Sequence, residues 1–127
     1  MKKLFNYIKI KNVFEFLSSE LIITLSQLKN NSSFSFRDII YNWEKRIENG
    51  KIWYGSQNIK KDIVEIFNND DDADTILSIM GNEIANKKIK TIEKILELDI
   101  QTNDKIKIID FLIKESANEL SDEFLLN

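Results

Sequence analysis

The stretch from Phe34 to Gly50, FSFRDIIYNWEKRIENG, decides the fold class. Ser35 offers a side-chain acceptor to the free N–H groups of a first helical turn. Asp38 stands three positions on to close the reciprocal bond, and Phe34 with Ile39 is placed for a hydrophobic staple. Phe36, Ile39, Ile40, Trp43 and Ile47 then recur at the three- and four-residue steps of one helical face. Gly50 falls where a left-handed residue ends a helix, a conformation Gly adopts without a Cβ penalty. The spacing predicts a helix between these signals, followed by the turn Lys51-Ile52-Trp53-Tyr54-Gly55.

The same period continues on both sides. Upstream, Asn12 and Glu15 have capping-box spacing, and Phe14, Leu17, Leu21, Leu25 and Leu28 form one face of a helix ending in Asn30-Asn31-Ser32-Ser33. The first ten residues read as a short helix, with Ile8-Lys9-Ile10-Lys11 as a competing alternating strand. Downstream, Ser56 is placed to cap a helix carrying Ile59, Ile63, Ile66 and Phe67, which runs out in Asn68-Asn69-Asp70-Asp71-Asp72. Ala73, Ile76, Leu77, Met80 and Ile84 mark the next helix, with Gly81 inside it as either a close packing point or a weak one.

After a turn or kink at Asn86-Lys87-Lys88, a helix with Ile89, Ile92, Ile95 and Leu96 ends near Asp99. Thr102 or Asn103 caps the longest segment, whose face is Ile106, Ile109, Ile113, Ala117, Leu120 and Phe124, widened by Ile108 and Leu112. So broad a stripe serves a central helix or a dimer contact equally well. Proline is absent, and no repeat of 30 to 40 residues recurs with a consensus. The expectation is an all-α protein, a single compact helical bundle of about five to six helices in one domain over residues 1–127.

At 127 residues and 43% apolar the chain is long enough to bury a core without disulfides or metal. It has neither cysteine nor histidine, which removes thiolate chemistry, imidazole bases and the usual zinc ligands. No pair of glycines near a Lys-Ser/Thr forms a phosphate cradle. Asp70, Asp71, Asp72 and Asp74 invite a calcium loop, but the sixth position from Asp70 is Thr75 and the twelfth is Gly81, where Gly and Glu belong. Helix capping is the plainer account. The expectation is a protein that is not an enzyme and uses no cofactor or metal. Lys9 and Lys11 interrupt the apolar start, and the longest uncharged apolar run is Leu21 to Leu25, so a cytoplasmic location without membrane insertion is expected.

Charge is distributed unevenly. Residues 1–61 hold 11 Lys/Arg against 5 Asp/Glu, whereas residues 62–127 hold 7 against 16. Such asymmetry bears on partners, because summed fields steer association and select complementary surfaces. The acidic half points to a basic protein partner, with Asp70, Asp71, Asp72, Asp74, Glu93, Glu97 and Asp99 as contact residues and Trp53 and Tyr54 as aromatic anchors. The competing reading of Trp53 and Tyr54 is a lid folded onto the core. The functional expectation is a small inhibitor or immunity-type protein that neutralises a nuclease-type bacterial toxin domain. Two alternatives stand beside it. One is a nucleic-acid-associated regulator using Lys2, Lys3, Lys9, Lys11, Lys60 and Lys61 with nearby aromatics, and the other is a helical adaptor or assembly subunit.

Overall fold

The computed structural model describes residues 2–31, 33–67 and 72–126, with side chains from Tyr7 onward. Asp70 and Asp71 lie outside the described residues. Among the described residues six helices follow in order: α1 (Lys2–Ser26), α2 (Phe36–Glu48), α3 (Gln57–Phe67), α4 (Ala73–Lys87), α5 (Ile89–Glu97) and α6 (Thr102–Leu126), with a 3-10 turn at Lys51–Trp53. They form an all-helical bundle, as the periodicity predicted.

Helix α1 corrects the expected start at Asn12. It runs unbroken from Lys2, so Asn12 lies in its interior and the Ile8–Lys11 stretch is helical. Nothing between residues 2 and 26 is Pro or Gly. Ile10 continues the buried face of Val13, Phe14, Leu17, Leu21 and Leu25 on the far side of Asn12, so a cap at Asn12 would forfeit its burial.

Helix α2 forms as its termini dictate. Ser35 Oγ accepts from Asp38 N–H at 3.3 Å while Ser35 N–H donates to Asp38 Oδ2 at 2.8 Å. Phe34 and Ile39 are both buried. Gly50 closes the helix at φ 71°, and Gly55 repeats the left-handed geometry at φ 74° after the 3-10 turn.

Trp43 is fully buried, and its indole ring lies against Gly81 of α4; a Cβ at Gly81 would stand 2.6 Å from Trp43 Cζ2. Gly81 is therefore a packing necessity, because any side chain there would overlap the ring. A second tie holds α2 to α1: Arg46 makes an ion pair with Glu20, its Nε donating at 3.0 Å, with both side chains nearly enclosed.

Helix α6 packs along α1 and also touches α4 and α5, the central position its broad stripe implied. Ile109, Ile113 and Ala117 are buried between them. Its cap falls at Gln101, one residue before Thr102 and two before Asn103, the two predicted alternatives. Gln101 supplies the carbonyl that receives Asp104 N–H at 3.0 Å and Lys105 N–H at 3.1 Å, and Thr102 is already helical. The break between α4 and α5 falls at Lys88. Lys105 Nζ donates to the Leu96 carbonyl at 2.8 Å, satisfying an acceptor at the end of α5 with a cation placed against its negative pole.

Candidate functional site

Between α2 and α5 lies an open groove of about 900 Å³. Its apolar floor is made by Phe34, Phe36, Ile40 and Leu96, and Tyr41, 58% exposed, stands at its edge. Glu44 from α2 and Glu93 and Glu97 from α5 rim it, together with Arg37. The local reason is a surplus of apolar residues on α2. Ile39, Trp43 and Ile47 satisfy the core, while Phe36, Ile40 and Tyr41 spill onto a neighbouring face that no other helix covers completely. Helix α5 adds a second amphipathic wall, burying Ile92 and leaving Glu93 and Glu97 exposed one turn apart.

Among the described residues, none of Arg37, Glu44, Glu93 and Glu97 takes part in an ion pair. Lys45, beside Glu44 in sequence, brings a cation to the groove edge, its Nζ 5.6 Å over the Tyr41 ring and 3.4 Å from Glu48. The lining itself thus carries three carboxylates without an ion pair against one guanidinium.

The sequence-derived contact residues separate into distinct places. Glu93 and Glu97 enter the groove. Asp99 is exposed in the connection after α5 and does not line it. Asp72 is the N-cap of α4, accepting from Thr75 N–H at 2.8 Å and Thr75 Oγ1 at 2.9 Å; the backbone N–H holds its carboxyl below the usual aspartate range. Asp74 accepts the indole N–H of Trp53. Trp53 is a lid on the core, 7% exposed, stacked on Phe16 at 5.9 Å between ring centres, with Lys60 Nζ 5.6 Å from its ring. Tyr54, next to it, is 87% exposed.

Along α6, Asp110, Glu115, Glu119, Asp122 and Glu123 are paired within the protein, while Asp104 in its first turn has no ion pair among the described residues. Lys87 contacts Glu123 at 2.6 Å and Glu119 at 3.7 Å, and Lys88 contacts Glu119 at 3.2 Å and Glu115 at 3.3 Å. Hydrogen bonds to Glu123 raise the Lys87 pKa, those to Glu119 and Glu115 raise that of Lys88, and Lys88 in turn lowers the carboxyl of Glu119. Lys11 reaches Asp122 at 2.7 Å, and Lys114 lies 3.3 Å from Asp110, which sits at the edge of the apolar stripe.

The basic N-terminal half is engaged in part: the side chains of Lys2 and Lys3 lie outside those described, and Lys60, over the Trp53 ring, and Lys61 take part in no ion pair among the described residues. Lys9 pairs with Glu65 at 2.9 Å, which raises the lysine and lowers the glutamate, and Arg46 is held by Glu20. Glu44, Arg37 and Tyr41 were not singled out from the sequence. Their signal was present in the second apolar face of α2, with Glu44 directly after the core residue Trp43.

A smaller cleft of about 330 Å³ opens between Phe14, Phe67, Ile76, Ile79, Met80 and Phe124, with Glu83 as its charged residue. Among the described residues no group of three or more acidic side chains is arranged to hold a metal, and no helix is long and apolar enough to cross a membrane. No protein-family model, curated protein or solved structure matches this chain.

Proposed function

We propose that this protein is a non-catalytic binding protein that holds a basic protein partner in the α2–α5 groove. The role we assign it is that of a small inhibitor or immunity-type protein neutralising a nuclease-type toxin domain. One observation carries the reading: Glu44, Glu93 and Glu97 converge on an apolar floor without an ion-pair partner of their own among the described residues. Unpaired carboxylates speed encounter with a cationic surface, and a desolvated apolar floor supplies residence time. A toxin that grips nucleic acid presents cations for phosphate, and carboxylates standing in their place block it directly. Support for the nucleic-acid alternative is reduced by Lys9 and Lys11, whose charges are already answered by Glu65 and Asp122.

The test compares two baits, the tagged protein and its Glu44→Gln, Glu93→Gln, Glu97→Gln variant, in extracts of the native host at moderate salt. A basic protein retained in near-stoichiometric amount by the first and lost by the second is the expected result. Equal retention by both baits, or recovery of nucleic acid in place of protein, overturns the reading.

A further inference from the structure

We infer that the segment of the partner seated in the groove is a cationic amphipathic α-helix; this rests on the reading of the groove as the binding site. Most of both walls is helical, so their interior backbone groups are already paired along their own axes. Extended backbone lines the groove only at Phe34 and Ser35, where the Ser35 N–H is already bonded to Asp38, too short a stretch to pair with a strand. A strand laid there would bury unpaired N–H and C=O groups on the side facing the floor, each carrying a desolvation cost that a helix avoids. A helix brings its backbone bonds with it and needs only side-chain complementarity.

The spacing of charge agrees with that choice. Glu93 and Glu97 are four residues apart on α5, about 6 Å along its axis, which matches cationic side chains at positions i and i+4 of an opposing helix. On the facing wall Glu44 lies seven residues, about two turns, beyond Arg37. That wall therefore accepts a third cation near Glu44 and repels one near Arg37, which gives the bound helix a preferred register. Phe36, Ile40 and Leu96 receive its apolar stripe. The groove volume of about 900 Å³ corresponds to roughly two turns of a helix 10 Å wide, so the contact is short and anchored by a few side chains.

The experiment uses the whole protein and a display library of random peptides of about 14 residues, roughly four helical turns. Enriched peptides are synthesised and their Kd values measured by fluorescence anisotropy. The expected binders carry Lys or Arg at i and i+4 beside apolar residues at i and i+3, gain helical circular dichroism on binding, and weaken at least tenfold when a central residue is replaced by Pro. They also weaken at least tenfold against the Glu93→Lys, Glu97→Lys variant, whose own folding is checked by circular dichroism. Exchanging the two peptide cations for Glu restores binding to that variant.

Two failures are distinguishable. Peptides that depend on Glu93 and Glu97 but alternate with period two, or tolerate the central Pro, overturn the helical occupant and leave the groove reading standing. A selection that yields no peptide dependent on those glutamates overturns the groove as the binding site and the helix with it.

Discussion

Along α6, Asp110, Glu115, Glu119, Asp122 and Glu123 each stand within 3.3 Å of a lysine, whereas Glu44, Glu93 and Glu97 around the α2–α5 groove have no ion-pair partner among the described residues. The first set is the longer acidic run in the sequence, yet folding answers it with Lys11, Lys87, Lys88 and Lys114. The second set is small, scattered over two helices, and left open. The proposed reading rests on unpaired charge gathered above an apolar floor, which a count of residues of one sign does not find; Glu83, Asp99 and Asp104 are also without an ion pair among the described residues but do not line that groove.

The strongest way to sharpen this contrast is to open a carboxylate that the fold does compensate in a nearly enclosed place. Arg46→Met leaves Glu20 without its cation at the α1–α2 contact, where both side chains of the pair are under 15% exposed. Breaking such a pair on one side costs about 2–4 kcal/mol, after discounting the fully buried value for residual exposure. Urea denaturation measures it. A loss below about 1 kcal/mol would mean that enclosure adds little and that paired and unpaired carboxylates differ less than the geometry says.

Next in size is a variant that carries no charge. Gly81→Ala places a Cβ into the Trp43 ring, and overpacking of this kind costs typically about 1–3 kcal/mol. Trp43 immediately precedes Glu44, so a displaced ring moves the α2 wall of the groove. The expected outcome is a lower midpoint of unfolding together with weaker partner binding, although no groove residue has changed. Unaltered binding at lowered stability would separate the groove from the core wedge beneath it.

A smaller effect comes from the paired face itself. Asp38, Glu65, Asp72 and Glu119 all have carboxyls held below their ordinary values, by capping N–H groups for the two aspartates and by Lys9 and Lys88 for the two glutamates. A depressed carboxyl stabilises the folded state fully above its unfolded value, 3.8 for Asp and 4.5 for Glu. That contribution disappears as pH falls through the folded value. Thermal midpoints are therefore expected to be level from neutral pH to near 5 and to fall below about 4.5. The raised lysines act at the other end, their contribution being complete below 10.5 and lost as pH rises beyond it. Lys88→Gln removes the larger of the two lysine contacts on Glu119, leaving Lys87 at 3.7 Å, and makes the acid limb shallower, read by differential scanning calorimetry at a series of pH values. An unchanged limb would show that the α6 pairs do not bear on stability.

Much of the fold was legible because its signals are local. Ser35, Asp38 and Gly50 specify both ends of α2 within the segment they close, and the same holds for Asp72 at the start of α4. The Asn12 cap failed for the opposite reason: Ile10, on its N-terminal side, is buried in the shared core, and a continuing helix secures more apolar burial than a capped one. Gly81 was readable only as an alternative, since the ring that requires it comes from α2. The site was half legible. Glu93 and Glu97 were visible as acids on one helix face, but so were Glu115 and Glu119, and the lysines that distinguish the two pairs approach from α4. Glu44 escaped notice because its groove exists only once α5 lies beside α2.

The smallest expected change in stability is the one that bears most on function. Glu44→Gln, Glu93→Gln, Glu97→Gln removes three carboxylates without cutting an ion pair seen among the described residues, so its stability should stay within about 0.5 kcal/mol of the parent or rise slightly as like charges are removed. Its affinity for a cationic partner should fall at least tenfold. Under the proposed reading these side chains leave the fold indifferent while determining binding, unlike the lysine-paired Glu115 and Glu119 of α6. A loss of more than about 1 kcal/mol in the triple variant would place these glutamates among the structural carboxylates and collapse the distinction between the two faces.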